Sequence, residues 1–495
     1  MRYVALAAGF DGTLARNGRC EVSCIEALRA LSASGRKLLL VTSRQLRELL
    51  EIFPEARMFD FIVAENGAVM HRPATRQSEI LAQAPPEILL QELRRRHVTP
   101  LSVGSSVVTV AHAHHAQVMA ALRKLHLDFQ LVSRRIADQV TAERFAGRAR
   151  RRPPDRPGPG RPGEFPGEFP GECDALMLLP PGVDKASGVR AALRELGISV
   201  HNLVAIGDGE SDLALFDVAE HAVAVRNADA KLRRAADHTT RGAYGDGFLE
   251  LATDLMAMDR AWGPAGADSA ANPMVVRAGH RHRIALGAYG EDRRELCLVP
   301  GRDSLLVSGP AGSGKAAICN RLLAQMLARG YQCCVIGATL ASGIRSSGLV
   351  AFGDAHEAPR VMEILSGLEQ PVVSTLIDLG ALAMEARATF TGVLLPQLQA
   401  LHDRSGRPHA VFIDQAHCCP AGEHLAALQR AQITVVYASE PGAARRPDAS
   451  QAIAAGGGAC RISVFSPEEA AGGRAEVASV SMPASSSYWM TSSTR

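Results

Sequence analysis

Five polar side chains with the chemistry to bind phosphate or magnesium follow apolar, strand-like runs of this sequence. They are Asp11, Thr42, Lys185, Asp208 and Asp212. Parallel sheets bind ligands where the carboxyl ends of their strands meet, so loops that follow such strands lie close together. Carboxylates suit Mg²⁺, which keeps several waters and bridges to a substrate phosphate, whereas a lysine and a hydroxyl suit the phosphate itself. The sequence therefore predicts a site for Mg²⁺ and a phosphorylated ligand.

Four short motifs occur in an order typical of one enzyme superfamily. Strand-FDGTL, strand-VTS, PPGVDKASG and IGDGESDL resemble the motifs of the haloacid dehalogenase superfamily of phosphatases in order and spacing. The ENGA sequence at residues 65–68 is similar to the Cof-type and sucrose-phosphatase-like branch, whose cap domain lies between the second and third motifs. The resemblance covers residues 1–256 and implies a Mg²⁺-dependent phosphatase that acts on a small phosphorylated metabolite.

The residue two places before Asp11 departs from the superfamily pattern. In that pattern, Asp-x-Asp-Gly-Thr, the first aspartate attacks phosphorus and the second acts as acid and base. Asp11 matches the second aspartate, whereas Gly9 stands at the position of the nucleophile. Glycine has no side chain, so it can neither attack phosphorus nor ligate Mg²⁺. We therefore expect impaired catalysis by the covalent route, because loss of such a nucleophile costs several orders of magnitude in rate.

For the other positions the resemblance implies one role each. Thr42 binds a phosphate oxygen, and Lys185 steadies the phosphate charge. The implied metal set is Asp208 as a ligand of Mg²⁺, Asp212 in support, and the backbone of Asp11. These residues complete the predicted catalytic and metal-binding positions of the first half of the chain.

A glycine-rich loop in the second half matches the phosphate loop of nucleotide-binding proteins up to its last position. SGPAGSGKAA, at residues 308–317, follows the strand-like DSLLV and precedes a helical run. Backbone N–H groups of such a loop surround phosphate, and the helix N-terminus favours the anion. Lys315 is expected to reach the β- and γ-phosphates of ATP or another nucleoside triphosphate. Ala316 stands where the motif has the Ser or Thr that binds Mg²⁺.

Further along, HAVFIDQAH resembles a Walker B strand. Asp414 matches the aspartate linked to Mg²⁺, and Gln415 stands where many such ATPases have a glutamate that activates water. The region 283–455 resembles the HerA/FtsK-like P-loop ATPases, which implies ATP binding, while the departures at residues 316 and 415 make ATP hydrolysis doubtful. The predicted nucleotide-binding positions are Gly309, Gly312, Gly314, Lys315, Ala316, Asp414 and Gln415.

The elements that must position these residues follow an alternating rhythm of strand-like and helix-length runs. This rhythm is typical of a doubly wound parallel sheet, so the predicted fold class is α/β, with an inserted α+β cap and a second α/β unit. A Pro-, Gly- and Arg-rich run cannot bury a core and is predicted to be disordered. The predicted domains are a phosphatase-like core at 1–75 and 181–256, a cap at 76–180 with the disordered loop near 146–172, a linker at 257–280, a P-loop domain at 281–460 and a disordered tail at 461–495.

The bulk composition of the 495 residues narrows the class of protein. The net charge is +3 and aromatic residues make up 4% of the chain, so neither charge nor stacking platforms predict a nucleic-acid partner. The sequence has no apolar run of the ~18–20 residues needed to span a bilayer, and its start lacks the pattern of a signal peptide. The ten cysteines include no Cys-x-x-Cys pair, so reduced thiols are expected. We therefore predict a cytoplasmic protein without a membrane partner.

Three functions from different classes are compatible with these patterns. The first is a Mg²⁺-dependent phosphatase, which the motifs favour and Gly9 opposes. The second is a regulatory protein that binds a phosphorylated metabolite and a nucleotide without turnover, since residues 9, 316 and 415 all depart from catalytic patterns. The third is an ATPase that acts on nucleic acid, which the near-neutral charge and the two departures in the second half disfavour. We predict the phosphatase fold joined to a P-loop domain, with impaired catalysis.

Overall fold

The chain is divided into two compact units. The computed structural model describes residues 2–135, 174–258, 282–289, 294–301, 303–310, 313–337, 348–414, 422–439 and 461–465. The first unit comprises Ala5–Leu196 and Leu203–Met256, and the second comprises Met1–Val4, Gly197–Asn202 and Ala257–Arg495. The predicted disordered loop near 146–172 and most of the predicted linker at 257–280 lie outside the described residues.

The strands of the first unit form a large sheet, a cap sheet and a small hairpin. They are β1 (Ala5–Gly9), β2 (Ala15–Arg16), β3 (Arg19–Cys20), β4 (Lys37–Val41), β5 (Phe61–Ala64), β6 (Val69–Arg72), β7 (Gln77–Ile80), β8 (Leu101–Val103), β9 (Val108–Ala111), β10 (Gln130–Arg135), β11 (Asp174–Leu179), β12 (Leu203–Gly207), β13 (His221–Ala224) and β14 (His238–Thr239). The helices are α1 (Val22–Ala33), α2 (Leu46–Ile52), α3 (Glu87–Arg95), α4 (His115–Leu125), α5 (Lys185–Leu196), α6 (Leu213–Val218), α7 (Ala230–Ala235) and α8 (Gly245–Met258).

The large sheet has the strand order β14-β13-β12-β1-β4-β5-β6-β7. From β14 to β5 all neighbours are parallel, and β6 and β7 continue the sheet antiparallel. The central strand β1, with the sequence ALAAG, is buried along its whole length, as expected for a parallel strand with helices on both faces. Because β12, β1 and β4 are adjacent and parallel, the loops after them emerge at one edge of the sheet.

The cap is an antiparallel sheet of order β10-β11-β9-β8 that packs against α3 and α4. Its core is formed by aliphatic side chains from both layers: Leu89, Leu93, Val108, Val110, Val118, Leu122, Leu176 and Leu178. The run VGSSVVTVAHA, which has strand-like content, contains the end of β8, a turn, β9 and the start of a short helical turn. The turn is closed by a hydrogen bond from the Gly104 N–H to the Val107 carbonyl (2.8 Å).

The cap carries an ion-pair cluster around Glu92, whose side chain is only 7% exposed. Arg95 and Lys124 donate to its carboxylate at 2.7 and 3.0 Å, and Arg96 donates at 2.8 Å. Hydrogen bonds from Arg95 and then from Lys124 lower the pKa of Glu92 to about 2. The cluster connects α3 to α4, so it contributes to cap stability wherever Glu92 is ionised.

We expect Glu92→Gln to lower the unfolding temperature of the cap at neutral pH and to have no effect in strong acid. The folded-state pKa of about 2 lies below the ordinary value of 4.5, so the ionised group stabilises the fold fully above pH 4.5 and this contribution is lost as the pH falls towards 2. Calorimetry of the native and variant chains at several pH values should show that their unfolding temperatures become more similar as the pH falls from 4.5 towards 2. Glu87→Gln, at a side chain 63% exposed, is the matched control. If the difference in unfolding temperature between the two chains were the same at every pH, it would not arise from the ionised Glu92 carboxylate.

The second unit contains another, largely parallel sheet of order β19-β20-β18-β21-β22-β17-β23, and a separate antiparallel pair, β15 and β16. The strands are β15 (Ile284–Tyr289), β16 (Arg294–Leu298), β17 (Ser304–Ser308), β18 (Cys333–Ile336), β19 (Leu349–Phe352), β20 (Ser374–Ile377), β21 (Ala410–Asp414), β22 (Thr434–Ser439) and β23 (Arg461–Phe465). The helices are α9 (Lys315–Ala328), α10 (Val361–Glu369), α11 (Met384–Ser405) and α12 (Gly422–Arg430).

One sequence expectation for this unit differs from the structure. The tail from residue 461 was expected to be disordered, yet its first five residues form β23, which pairs antiparallel with β17 at the edge of the sheet. The run RISVF is apolar and β-branched enough to extend an existing sheet, although it is too short to indicate a strand by itself. Within the described residues, the structure contains no helix with the length and apolarity required to cross a membrane.

Candidate active site

The loops that follow β1, β4 and β12 place Asp11, Thr42, Asp208 and Asp212 at one edge of the large sheet. Gly9 is the last residue of β1 and lies opposite Val41, the last residue of β4. On the other side, Ala8 lies opposite Ile206 of β12. Gly9 therefore lies between the loop that begins at Thr42 and the loop that begins at Asp208. The expectation that Lys185 also follows a strand of this sheet is wrong, because it follows β11 of the cap sheet and reaches the loop after β12 through its ion pair with Asp212. The catalytic roles of these residues stay a prediction.

Asp208 lies against the loop after β1. Its Oδ1 accepts a hydrogen bond from the Thr13 hydroxyl (3.0 Å). A Cβ atom on Gly12 would come within 1.9 Å of Asp208 Oδ2, and Gly12 has φ +76°, so both space and backbone conformation require glycine here. Burial raises the pKa of Asp208 to about 7, and the negative charge of Asp212 adds to this effect. The carboxylate is thus placed where a cation would stabilise its ionised form.

Lys185 and Asp212 form a buried ion pair. The Lys185 ammonium donates to Asp212 Oδ1 at 2.6 Å, and the two side chains are 8% and 1% exposed. The second oxygen of Asp212 accepts the N–H groups of Asp208 and Gly209, both at 3.1 Å. Lys185 is the first residue of α5, so the pair joins the start of that helix to the loop after β12. Asp212 supports the loop, and both of its oxygens are already occupied.

Asp11 is held by Arg44, a residue that the sequence interpretation did not single out. The guanidinium Nε donates to Asp11 Oδ2 at 2.7 Å, and Nη2 donates to Oδ1 at 2.6 Å. The Arg44 side chain is 1% exposed and that of Asp11 is 22% exposed. Such a two-point pair fixes the carboxylate plane as well as its position. The position of Arg44, two residues after Thr42 at the end of a strand, is the sequence signal that could have found it.

Thr42 is buried in the same loop. Its hydroxyl oxygen accepts the Arg44 N–H (3.1 Å), and its own N–H donates to the carbonyl of Val63 on β5 (2.9 Å). The Thr42 hydroxyl proton remains available as a donor, which is what a phosphate oxygen needs. Its role in phosphate binding stays a prediction.

The position of Gly9 has limited space for a side chain. A Cβ atom there would lie 2.9 Å from Thr13 Oγ1, 3.3 Å from Thr13 Cβ and 3.7 Å from the Ile206 carbonyl oxygen. The first two distances require a shift of a few tenths of an ångström by Thr13. Rotation of the Thr13 side chain can move its hydroxyl but not its Cβ atom, so a side chain at residue 9 also requires a small shift of the Thr13 backbone.

The implied Mg²⁺ set contains one side-chain ligand, Asp208. No group of three or more His, Cys, Asp or Glu side chains in the described part of the chain could hold a metal ion. The Asp11 carboxylate binds Arg44, so only its backbone is open to the implied contact, and the oxygens of Asp212 bind Lys185 and backbone N–H groups. Asp208 is left as a single carboxylate, the lower limit of what Mg²⁺ takes together with phosphate and water. The residues therefore fit Mg²⁺ only when a ligand phosphate completes the site.

We expect Arg44→Lys to destabilise the first unit by about 1–3 kcal/mol, because a lysine cannot reproduce the two-point hydrogen bond to a partly buried carboxylate. Arg47→Lys is the matched control: Arg47 pairs with Glu51, and their side chains are 91% and 55% exposed. Such a surface pair contributes about 0.3–0.5 kcal/mol. Native-state hydrogen exchange in β1 and β4 measures both effects. Equal losses in the two variants would show that the Arg44 pair contributes no more than a surface contact.

The glycine-rich loop of the second unit connects β17 to α9. Lys315 is the first residue of α9, and Gly314, with φ +92°, precedes it. The Lys315 ammonium donates to the carbonyls of Gly309 (2.5 Å) and Pro310 (2.8 Å). Ala316 follows within the first turn of the helix and packs against the core. An incoming phosphate would therefore have to replace two loop carbonyls as the partners of Lys315.

The other predicted nucleotide-binding residues are only partly described. Asp414 is the last residue of β21, and β22 lies between β21 and β17. A Cβ atom on Gly337 would lie 2.5 Å from Asp414 Cβ. The backbone after β18 therefore packs closely against the end of β21. Gly312 and Gln415 lie outside the described residues. The assignment of a nucleotide site stays a prediction.

Comparison with known proteins gives matches to the first half of the chain. The family model of the haloacid dehalogenase-like hydrolases matches residues 6–124 and 170–251. A phosphoglycolate phosphatase of Methanothermobacter thermautotrophicus is 25% identical over 253 residues, which are 51% of this chain and 98% of that protein. A phosphoglycolate phosphatase of Natronomonas pharaonis is 45% identical over 80 residues, so the match spans only 33% of that protein and 16% of this chain. A haloacid dehalogenase-like hydrolase structure from Bacteroides thetaiotaomicron shares 18% identity, with a TM-score of 0.39, over 51% of this chain and 99% of that one.

Proposed function

We propose, from the match of the haloacid dehalogenase-like hydrolase model to residues 6–124 and 170–251, that the first unit binds a small phosphorylated metabolite and hydrolyses it poorly. The observation that carries the proposal is the convergence of Thr42, Lys185 and Asp208 at one sheet edge around a glycine. Thr42 supplies a hydroxyl and Lys185 a cation for a phosphate group, and Asp208 supplies a carboxylate for Mg²⁺. Gly9 has no side chain and so cannot supply the nucleophilic carboxylate that the covalent route needs.

The chemistry open to these residues is binding rather than attack. Lys185 brings a positive charge that complements the phosphate oxygens, and Thr42 brings a hydroxyl that can donate a hydrogen bond to one of them. Mg²⁺, when bound at Asp208, would neutralise further phosphate charge. Asp11 has both carboxylate oxygens bound to Arg44, so its orientation is fixed. Because residue 9 is glycine, no covalent intermediate forms on which Asp11 could act as acid or base. We therefore expect occupancy of the site without efficient turnover.

Calorimetric titration of the native chain tests this proposal. The probe is 2-phosphoglycolate, chosen because similar proteins are phosphoglycolate phosphatases, and glycolate is the control that lacks phosphate. We expect phosphoglycolate to bind, glycolate to bind far more weakly, and release of inorganic phosphate to stay near the uncatalysed rate with MgCl₂ present. Rapid turnover would contradict the impairment. Failure of phosphoglycolate and of a panel of other phosphomonoesters to bind would contradict the phosphate site.

The second unit is proposed to bind a nucleotide, and one observation favours this function. The loop between β17 and α9 has the strand–loop–helix arrangement in which backbone N–H groups and a helix N-terminus favour phosphate, and Lys315 is positioned at its end. We expect Lys315→Ala to weaken ATP binding by at least about tenfold, the factor that corresponds to 1.4 kcal/mol. Lys124→Ala, at a lysine of the cap, is the control. Equal ATP affinity in all three chains, or none in any, would contradict the proposal.

A further inference from the structure

The turn Glu65–Gly67 contacts three parts of the first unit: the loop after β4, the start of α5 and the cap. The Glu65 N–H donates to the Arg44 carbonyl (2.9 Å), and the Asn66 N–H donates to the Thr42 carbonyl (3.0 Å). A Cβ atom on Gly67 would lie 1.8 Å from the carbonyl oxygen of Asp184, so this glycine packs directly against the residue before Lys185. The turn therefore contacts both the loop after β4 and the start of α5.

The side chain of Glu65 reaches the cap. Its two carboxylate oxygens accept the N–H groups of Ser105 (3.0 Å) and Ser106 (3.1 Å), in the turn between β8 and β9. The residue is 2% exposed. Hydrogen bonds from N–H groups to a carboxylate are stronger than those between neutral groups, and more so where water is excluded. A second contact runs beside it, from the Gln45 side-chain amide to the Ser102 hydroxyl (2.9 Å).

The backbone around Glu65 indicates that the contact is specifically built. Glu65 has φ +51° and Asn66 has φ +56°, conformations that cost free energy for residues other than glycine and persist only where the surroundings enforce them. On the cap side, a Cβ atom on Gly104 would lie 2.6–2.8 Å from the Glu65 carboxylate. Any side chain at residue 104 would separate the two surfaces.

We propose that Glu65 is a positioning residue that clasps the cap hairpin of β8 and β9 to the core, and that this clasp sets how tightly the cap is held over a phosphorylated ligand. The same turn binds the carbonyls of Thr42 and Arg44, so release of the cap also loosens the loop that orients Asp11. The part of the inference that concerns ligand retention rests on the proposed function. The clasp between core and cap does not.

Hydrogen exchange of the full chain without ligand tests the clasp first. In Glu65→Gln, one carboxylate oxygen becomes an NH₂ donor facing a backbone N–H, so we expect the Ser105 and Ser106 amides to exchange at least about tenfold faster. Amides of β1 and β4 should keep their protection. Glu79→Gln, at an exposed position of β7, is the control and should leave both regions unchanged. Unchanged exchange at Ser105 and Ser106, or equal acceleration throughout the first unit, would overturn the proposal.

A second substitution, in the cap turn that contacts Glu65, tests the same contact if Glu65→Gln is poorly folded. Gly104→Ala inserts a methyl group against the same carboxylate and should accelerate the same two amides. The dissociation rate of 2-phosphoglycolate is then measured in both variants, and it should rise in each. If the native chain binds no phosphoglycolate, the proposed function fails while the exchange result still decides the clasp. Accelerated exchange with an unchanged dissociation rate would overturn the role in ligand retention.

Discussion

Gly9→Asp is expected to raise hydrolysis of 2-phosphoglycolate by at least about a hundredfold over the native chain, because it supplies the nucleophile that the proposed site lacks. Other residues of the proposed site are held by contacts: Lys185 and Asp212 are paired at 2.6 Å, and the Asp11 carboxylate is fixed by two hydrogen bonds from Arg44. Loss of a nucleophile in other enzymes costs more than this factor. We expect a smaller gain because the residues around position 9 leave little space for a side chain.

The smaller gain has a specific cause in the structure. The new Cβ atom would lie 2.9 Å from Thr13 Oγ1, so Thr13 must move, and its hydrogen bond to Asp208 (3.0 Å) must adjust with it. Gly9→Asn imposes the same steric change without a nucleophilic carboxylate, which makes it the matched control. Initial rates of phosphate release with MgCl₂ and with a chelator compare the three chains. If the aspartate and asparagine variants are equally slow, the site lacks more than its nucleophile.

The sheet of the first unit could be predicted because its signal is local. Buried apolar runs such as KLLLV and NLVAIG indicate strands, and helix-length runs between them indicate parallel crossovers. Once the strands are parallel and adjacent, the residues after them must meet at one edge, which is why Thr42 and Asp208 could be assigned to one site before any coordinates. This reasoning does not extend to Lys185, because the strand before it, β11, belongs to the antiparallel cap sheet.

The pairings within that site could not be predicted, because they depend on loop conformation. Arg44 and Asp11 are 33 residues apart, and the two-point geometry requires both loops to have a specific path. The contact of Glu65 with Ser105 and Ser106 depends on left-handed backbone at residue 65, which the sequence of a non-glycine residue does not indicate. The resemblance identified ENGA as a branch marker, whereas its contacts with Arg44, Thr42 and the cap are visible only in three dimensions.

Lys185→Met is expected to destabilise the first unit by about 3–5 kcal/mol, because removal of one partner of a buried ion pair leaves the other charge uncompensated. Asp212 is 1% exposed, and the N–H groups of Asp208 and Gly209 that bind its other oxygen cannot replace an ammonium. Lys37→Met is the control. Lys37 pairs with Asp60 at 2.9 Å, and the two side chains are 45% and 24% exposed, so its loss should cost about 0–1 kcal/mol.

The double variant Lys185→Met with Asp212→Asn separates the structural role of the pair from ligand binding. Neutralising both partners removes the uncompensated charge, so we expect it to recover part of the stability that Lys185→Met loses. Phosphoglycolate binding should stay lost in both variants, since neither has the ammonium that is proposed to contact the phosphate. Hydrogen exchange in β12 measures stability, and calorimetric titration measures binding. Recovery of binding together with stability would show that Lys185 acts only through the fold and does not contact the phosphate.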